Sequence, residues 1–509
     1  KGKNIEVTVD LDRPIPQEFI GKVGFNLEFF PGSLFGKPWI MDGQSGIFPQ
    51  QPNSPLMTTQ PNYLHTGNYH DGKKSLADMN KLIGKGYSPI VADDIISEPY
   101  AKGTKFTSRP DDPYNKVTIE SLSGDLQLFD GRMNHNNGWF VLRSNIKPGV
   151  TKGAVKWIIT PNVVADWMYQ PVIQTSQIGY HPTQDKEAVI EMDIRDNRKE
   201  TAQIIRIDAD GEKVVKNVTP ANWGKFLRYN YLKVNFTDVK EPGLYKIKYN
   251  TSVSPIFRID NDVYARGVWQ PVLEYFLPVQ MCHMRVNEKY RVWHDCCHMD
   301  DAQMAPAHNH IDGYDQKEGL SKFKPGEVVP GVNIGGWHDA GDFDLRIESQ
   351  AGESYILALA YEAFHPNLDV TSIDQINRVT EIHQPDGKND LLQQVENGAL
   401  TVVNGYLALG RLYRGIICND LRQYVLLGDA AAMTDGKIGN EDDRWIFTED
   451  NPGRELSTAA QLAAVSRVLN GFNDTLSVHC LDIARKVYAS TGSGNNRALF
   501  PKVQAAVEL

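Results

Sequence analysis

"NIGGWHDAGDF", residues 333–343, places Asp339 and Asp342 three positions apart in a stretch that contains three glycines. The glycines predict a sharply shaped loop rather than a helix, because glycine adopts backbone conformations that other residues avoid. In such a loop both carboxylates can face one pocket. Carboxylates that crowd together repel each other, so their pairing indicates a use by a metal, a water molecule or a substrate hydroxyl.

Two uses of this aspartate pair stay open on the residues alone. In the inverting hydrolysis of a glycosidic bond, one carboxylate takes a proton from water while a separate acid protonates the leaving oxygen. Asp339 and Asp342 are too close in sequence to be that base and that acid. We therefore expect them to share the activation of water, with the acid elsewhere. The alternative is a calcium loop or a pair of turn-capping aspartates.

The cysteines predict a second site, and their distribution excludes a disulfide framework across the chain. Five are present, and none precedes Cys282. Cys296 and Cys297 follow closely, and His298 comes directly after them. A local group of thiols and an imidazole indicates a metal before it indicates a disulfide.

The predicted metal is a structural zinc ion, because four thiolate and imidazole ligands complete a tetrahedral site with no open position. The predicted ligands are Cys282, Cys297, His298 and His338. Such a site would tie the loop that carries Asp339 to the beginning of the helical region. The rival ligands are Cys296, His294 and His283. The alternative without a metal is a set of buried thiols beside an ordinary surface histidine.

The overall composition excludes two classes of partner. The chain has 509 residues and a formal net charge of −10 with both signs mixed, which argues against the clustered Lys and Arg of a nucleic-acid-binding surface. No apolar run reaches about 18 residues, so no membrane span is predicted. With 41% hydrophobic residues the chain can bury cores, and its length predicts more than one domain.

The pattern along the chain predicts three regions. Residues 1–167 carry short alternating stretches between Gly, Pro and Asn breaks, which indicate a β-sandwich of jelly-roll type. Residues 168–262 carry further alternating stretches and an Asp-Gly turn, which indicate an immunoglobulin-like (Ig-like) β-sandwich. Residues 263–509 show apolar side chains at spacings of three and four, which predict about six helices joined by long loops.

Several aromatic side chains of the first region look exposed in the sequence. They are Trp39, Tyr63, Tyr69 and Trp139. Flat aromatic rings can stack on sugar faces, so these residues are candidate glycan contacts. Packing in the core of the sandwich is the other interpretation, and we favour it.

Four segments carry a resemblance to a known family. They read GGWHDAGDF, WHDCCHMDDA, DLLQQVENGAL and FTEDNPGRELSTAAQLAAVSRVL. Together they resemble glycoside hydrolase family 9, in the subgroup with an Ig-like domain ahead of the catalytic domain. The resemblance implies an all-α (α/α)6 toroid and inverting hydrolysis of β-1,4-glucosidic bonds in a β-glucan polysaccharide or oligosaccharide, such as a cellulose-like, mixed-linkage or xyloglucan chain.

The resemblance also implies residue roles. Asp342 corresponds to the general base and Asp339 to its helper. Some members of the subgroup hold a structural zinc through positions that correspond to the four predicted ligands, whereas calcium is the other metal to consider. Because polymeric glucan cannot enter a cell, the implied location is secreted, periplasmic or at the cell surface. An exo-acting glycosidase and a non-catalytic glycan-binding protein with a degenerate site remain as alternatives.

Two features depart from the family. The Lys-Phe or Lys-Tyr that usually follows the DAGD element is replaced by FDLRIES. A toroid has twelve helices, whereas about six are predicted, and no convincing general-acid glutamate follows Ser457. We interpret Glu396, Glu449 and Asp450 as structural, and Glu508 lies one residue from the end of the sequence. We therefore expect the chain to hold the first part of the toroid and the general acid to lie in a remaining C-terminal portion beyond Leu509.

Overall fold

A computed structural model describes most of the chain, in ten segments. They are residues 4–21, 23–52, 98–133, 138–307, 316, 319–340, 343–418, 436–439, 443–492 and 496–509. Asp342, Tyr63 and Tyr69 lie outside the described residues. The chain divides into two compact units, one of Lys1–Asn162 with Leu273–Leu509 and one of Val163–Val272.

The first region is a sandwich of two antiparallel sheets. Its strands are β1 (Ile5–Val9), β2 (Gly24–Phe29), β3 (Pro38–Met41), β4 (Gln44–Ile47), β5 (Ala101–Gly103), β6 (Lys105–Ser108), β7 (Val117–Ser121), β8 (Leu126–Asp130), β9 (Phe140–Asn145) and β10 (Val155–Pro161). One sheet has the order β1-β10-β7-β6-β3-β4 and the other β2-β9-β8-β5. Apolar side chains from both sheets form one core, and the residues of strands such as β8 alternate between that core and the surface. The jelly-roll type stays a prediction.

The candidate glycan-stacking aromatics of this region divide between core and surface. Trp39 is buried in the sandwich core, as the favoured interpretation has it. Trp139 is 40% exposed and packs edge-on against Phe30, with ring centroids 5.5 Å apart.

The unit Val163–Val272 is a second antiparallel sandwich. Its strands are β11 (Val172–Gln174), β12 (Glu187–Asp193), β13 (Ala202–Asp208), β14 (Gly211–Val218), β15 (Ala221–Phe226), β16 (Tyr229–Asn235), β17 (Gly243–Tyr249), β18 (Ser252–Val253) and β19 (Phe257–Ile259). One sheet has the order β11-β12-β16-β15, and the other joins β14-β13-β17-β18 with β19 beside β17. The predicted Asp-Gly hairpin lies between β13 and β14, where Asp208 pairs with Gly211.

The helical region begins at Val272 with a π-helical turn, Val272–Phe276, and continues in α-helices. The helices are α1 (Leu277–Gln280), α2 (Ile347–Phe364), α3 (Asp390–Leu409), α4 (Pro452–Leu469), α5 (Asp474–Ser490) and α6 (Asn496–Glu508). Asparagine side chains cap three of the longer helices: Asn389, Asn451 and Asn473 each accept backbone N–H groups of the first turn. Helix α4 is buried on most sides because it packs against α2, α5 and α6.

Short strands, which the sequence did not predict, lie between these helices. They are β20 (Arg285–Glu288), β21 (Arg291–His294), β22 (Gln303–Met304), β23 (Leu345–Arg346), β24 (Thr371–Asp374), β25 (Val379–Ile382), β26 (Gly415–Cys418) and β27 (Arg444–Phe447). They form two four-stranded sheets, β21-β20-β25-β24 and β22-β27-β26-β23. Pairing as strands satisfies backbone N–H and C=O groups that would otherwise be buried without partners.

Among the described residues, no helix combines the length and the apolar character that a membrane crossing needs.

Candidate active site and metal centre

Two glycines position the loop that leads to the aspartates. Gly335 and Gly336 have φ of +68° and +87°, in the left-handed region that favours glycine. A Cβ on Gly335 would lie 2.3 Å from the carbonyl oxygen of Asn397, in helix α3. The backbone N–H of Gly336 donates to that same carbonyl at 3.0 Å, and Asn397 Nδ2 donates to the carbonyl of Gly336 at 3.1 Å. The loop therefore lies directly against helix α3, where only glycine fits.

Trp337 is the buried anchor of the loop. Its backbone N–H donates to Gln350 Oε1 at 2.8 Å, and Gln350 Nε2 donates back to its carbonyl at 2.9 Å. Its indole Nε1 donates to Gln394 Oε1 at 2.8 Å. Gln350 and Gln394 are both buried, on α2 and α3 respectively. Sequence reasoning missed these two glutamines and Asn397, and the glycine spacing alone would not have revealed them.

Asp339 is exposed at the end of this anchored segment. Its backbone N–H donates to the carbonyl of Asp344 at 3.1 Å, which closes the turn around the DAGD element. Its carboxylate Oδ2 lies 3.4 Å from Arg346 Nε. The structure thus places Asp339 at the surface beside a cation, whereas its predicted partner Asp342 lies outside the described residues.

The four predicted zinc ligands come together in the interior. Cys282 Sγ lies 3.9 Å from Cys297 Sγ and 3.8 Å from His298 Nδ1. Cys297 Sγ lies 3.4 Å from His338 Nε2. All four residues are buried, and their ligand atoms lie within 4.8 Å of one another. The backbone N–H of His338 donates to the carbonyl of Gln280 at 2.8 Å, so the cluster joins the loop to helix α1.

The three rival ligands face backbone carbonyls instead of the cluster. Cys296 Sγ approaches the carbonyl oxygens of His283 and Arg378 at 3.9 and 3.7 Å. His294 lies between the carbonyls of Asp295 and Val279, and His283 Nδ1 lies 3.0 Å from the carbonyl of Gly335. The geometry therefore favours the predicted ligand set, which is Cys282, Cys297, His298 and His338.

Burial and neighbouring groups shift the pKa values of the thiols and imidazoles in the cluster. Burial lowers the pKa of His298 and of His338, so both imidazoles are neutral, which is the form that binds metals. Burial opposes ionisation of Cys282, but the hydrogen bond from Cys297 and the charge of Arg444 outweigh it and lower the pKa of that thiol well below its usual value. Burial and the hydrogen bond to Cys282 raise the pKa of Cys297. The cluster is therefore prepared to carry at least one thiolate.

Arg444, at the start of β27, connects the cluster to the aspartate loop, and sequence reasoning did not identify it. The side chain is fully buried. Its Nε donates to Asp301 Oδ2, its Nη1 to the carbonyl of Phe343 and its Nη2 to Cys282 Sγ at 3.3 Å. One guanidinium thus binds a buried carboxylate, a cluster ligand and the residue that directly follows Asp342.

The arrangement combines a rigid segment with an exposed carboxylate. Hydrogen bonds from α2 and α3 hold Gly336 and Trp337, and His338 in the same segment belongs to the cysteine–histidine cluster. An exposed carboxylate on rigid backbone can orient a water molecule or a hydroxyl without the cost of ordering a mobile loop.

Comparisons with known proteins assign two parts of the chain. Residues 272–506 match the family model for glycosyl hydrolase family 9, and residues 168–254 match that for the cellulase N-terminal ig-like domain. Comparison with curated proteins gives no match.

Solved structures give distant matches. A Bacteroides ovatus GH9 protein is 18% identical, with a TM-score of 0.45 over 62% of this chain and 53% of its own. The GH family 9 endoglucanase J30 is 20% identical, with a TM-score of 0.44 over 65% and 59%. A Zn-binding triple mutant of that endoglucanase is also 20% identical, with a TM-score of 0.47 over 65% of this chain and 59% of its own. The chain spans between half and three fifths of the length of these structures.

Proposed function

Because the chain belongs to glycosyl hydrolase family 9 through residues 272–506, with a cellulase N-terminal ig-like domain at residues 168–254, we propose that it hydrolyses β-1,4-glucosidic bonds in β-glucan chains with inversion. The observation that carries this proposal is the anchored loop of residues 335–339. It holds Asp339 exposed to solvent, three positions before Asp342.

In the proposed reaction the two aspartates act on the water side of the bond. Asp342 takes a proton from the attacking water, and Asp339 hydrogen-bonds that water and keeps it aligned. Arg346 beside Asp339 favours the ionised form of its carboxylate. In inverting enzymes the acid and base carboxyl groups stand about 6.5–9.5 Å apart, so the acid is a third group.

Three glutamates that the sequence left out of the acid role, Glu396, Glu449 and Glu508, make structural contacts. Glu396 Oε1 accepts a hydrogen bond from Asn473, the cap of helix α5, at 2.6 Å. Glu449 pairs with Arg454. Glu508 accepts from Tyr355 at 2.7 Å and pairs with Arg467 at 2.8 Å. These contacts support leaving all three out of the acid role. We propose that the packed helices of residues 263–509 belong to an (α/α)6 toroid.

We further propose that the cysteine–histidine cluster holds a structural zinc ion. A tetrahedral ion with Zn–S of about 2.3 Å and Zn–N of about 2.0–2.1 Å requires S–S near 3.8 Å and S–N near 3.6 Å. The S–S distance of 3.9 Å and the S–N distances of 3.8 and 3.4 Å fit these values. Zinc bound there would supply folding energy and hold His338, and with it the backbone before Asp339.

The substrate class also implies a location. Polymeric glucan cannot enter a cell, so we propose that the protein acts in the periplasm, at the cell surface or after secretion. Antibody detection in fractionated cells tests this, and confinement to the cytoplasm would contradict it.

The function is tested by release of reducing ends from barley β-glucan, xyloglucan, carboxymethylcellulose and chitosan oligomers. We expect hydrolysis of the β-glucans and an α-configured product in the first spectrum by proton NMR. Asp342→Asn should lower turnover by several orders of magnitude, and Asp210→Asn, in an exposed hairpin turn, should not change it. Binding without release of reducing ends would support the non-catalytic alternative, and release of single end units would support the exo-acting one.

Zinc is tested by elemental analysis and X-ray absorption on the purified chain. We expect about one zinc per chain with two sulfur and two nitrogen neighbours. Cys297→Ser should lose the zinc, whereas Cys480→Ser should keep it, because Cys480 is equally buried but lies in helix α5 away from the cluster. Absence of zinc from protein refolded with excess zinc would contradict the assignment.

A further inference from the structure

A second group of ligand-type side chains lies where two strands begin. Asp300 and Asp301 come shortly before β22, and Asp443 directly precedes β27. The two strands pair in parallel, with Gln303 opposite Trp445. Parallel strands begin at the same edge of a sheet, so this pairing brings the three aspartates together. We call Asp300, Asp301 and Asp443 the strand-edge triad.

The spacing of the strand-edge triad fits one ion. All three residues are buried, and one carboxylate oxygen of each lies within 4.8 Å of those of the other two. Calcium binds oxygens at about 2.3–2.6 Å, so two oxygens on the same ion are at most about 4.6–5.2 Å apart. A single calcium ion can therefore reach all three carboxylates without rearrangement of the backbone.

Asp300 gives an independent indication of a ligand. Its side chain is 6% exposed, and within the described part of the chain its buried Oδ2 has no hydrogen-bond partner. A buried polar atom without a partner is costly, and more so on a carboxylate, so native structures satisfy such atoms with protein, water or an ion. Asp300 lies against two other buried carboxylates, which makes a cation the partner that fits.

Hydrogen bonds hold the other two members in place. Asp301 Oδ1 accepts the backbone N–H of Arg444 at 2.9 Å, and its Oδ2 accepts Arg444 Nε. Asp443 Oδ2 accepts the backbone N–H of Gly439 at 2.5 Å. An ionised carboxylate offers about four lone-pair directions, so a carboxylate that accepts hydrogen bonds can also bind a metal. Preorganised oxygens of this kind lower the cost of assembling a site.

From this geometry we propose that the strand-edge triad is a calcium site, separate from the cysteine–histidine cluster. The ligands are all hard oxygens, which select calcium or magnesium over zinc. Three buried carboxylates favour calcium, because magnesium keeps several of its waters and is seldom enclosed by protein ligands. The bound ion joins the beginnings of β22 and β27 and stabilises the small sheet in which Arg444 begins its strand.

The experiment measures calcium binding to the intact chain with its zinc content fixed. Protein freed of calcium with EGTA is reloaded with zinc, separated from chelator and free metal, and dialysed to equilibrium against radioactive calcium in physiological salt. We expect about one bound calcium per chain, little displacement by an equal concentration of magnesium, and a rise of the melting temperature by several degrees with calcium. Absence of saturable binding by the wild-type chain overturns the proposal.

Variants locate the ion. Asp300→Asn keeps the size of the side chain and should lose the calcium and the calcium-dependent rise in melting temperature while it keeps its zinc. Asp443→Asn provides the same measurement if Asp300→Asn does not fold. Asp210→Asn, with the same change of charge in an exposed turn, should bind calcium like the wild type.

Three outcomes contradict the site. Unchanged calcium binding by folded Asp300→Asn would place the ion elsewhere. Loss of calcium from Asp342→Asn with retention by Asp300→Asn would assign the ion to the aspartate loop. Loss of zinc and calcium together from a folded Asp300→Asn protein would show a single shared centre.

Discussion

Arg444 Nη1 donates a hydrogen bond to the backbone carbonyl of Phe343, the residue that directly follows Asp342. The same guanidinium binds Asp301 and Cys282, and both it and Asp301 are buried. A planar group with five donors can hold three acceptors at once, which an ammonium cannot do in the same plane. Arg444 therefore links the backbone of the aspartate loop to the metal-ligand cluster through one rigid side chain.

Removal of the Arg444 guanidinium should lower the stability of the fold. In protein freed of calcium, Arg444→Met leaves Asp301 as a buried carboxylate without a cation, so we expect the free energy of unfolding to fall by about 3–5 kcal/mol. The double variant Arg444→Met with Asp301→Asn removes both charges and should recover part of that loss. Urea unfolding of the three proteins measures the difference.

A surface arginine provides the control. Arg467 pairs with Glu362 and Glu508 but is 40% exposed, so Arg467→Met should cost about 1 kcal/mol or less. Equal destabilisation by Arg444→Met and Arg467→Met would show that the buried contacts of Arg444 stabilise the protein no more than a surface ion pair does.

The close contact at Gly335 predicts a different kind of loss. Gly335→Ala combines a φ of +68° with a Cβ 2.3 Å from the Asn397 carbonyl, so the loop has to move away from helix α3. We expect the free energy of unfolding to fall by more than about 2 kcal/mol, because the backbone is strained. We expect turnover to fall on the order of 100-fold, because a small displacement of a catalytic group strongly lowers the rate. Denaturant unfolding and initial rates on β-glucan measure the two effects.

Gly387→Ala is the control that distinguishes backbone strain from the steric contact with the Asn397 carbonyl. Gly387 has a φ of +83°, but a Cβ there would meet nothing within 4 Å. Its substitution should cost about 1 kcal/mol and leave turnover unchanged. Equal effects of the two substitutions would show that the approach to Asn397 does not position the loop.

Local sequence patterns were enough to predict some of these features. The strands β1, β7, β8, β9 and β10 follow the alternation of their own residues, and helix α3 follows the three-and-four spacing of its apolar residues. The four cluster ligands could be named because thiols and imidazoles are few, and their chemistry restricts what they can do. The comparisons confirm the family resemblance.

The supporting residues of the site could not be predicted because their partners are distant in sequence. Gln350 and Gln394 look like surface positions of two helices, yet packing of α2 against α3 brings both onto Trp337. Arg444 binds a residue 143 positions away. Strands of two to four residues, such as β22 and β27, carry too little pattern to be distinguished from loop.

The Ig-like unit should lose stability in acid. Hydrogen bonds from Arg195 hold the pKa of Asp193 below its usual value, and those from Arg198 do the same for Asp196. A carboxylate whose pKa is lower in the folded state stabilises the fold above its unfolded value of 3.8, and this contribution is lost as the pH falls below that value. Asp196→Asn should therefore be less stable than wild type at pH 6, with a smaller difference at pH 3. Urea unfolding at both pH values checks this, and a constant difference would contradict it.

Arg346 should set the charge on Asp339. Its Nε lies 3.4 Å from Asp339 Oδ2 and 3.4 Å from the buried Asp344, whose Oδ1 accepts the backbone N–H of Cys418 at 2.7 Å. Because a nearby cation favours an ionised carboxylate, Arg346→Ala should lower turnover about 10-fold and move the acidic limb of the pH–rate profile to higher pH. Arg346→Lys keeps the cation and should restore most of the profile, while Arg467→Ala, in a surface ion pair, should leave it unchanged. A fall in turnover with no movement of the acidic limb would show that Arg346 supports the fold of the loop but does not act on the carboxylate.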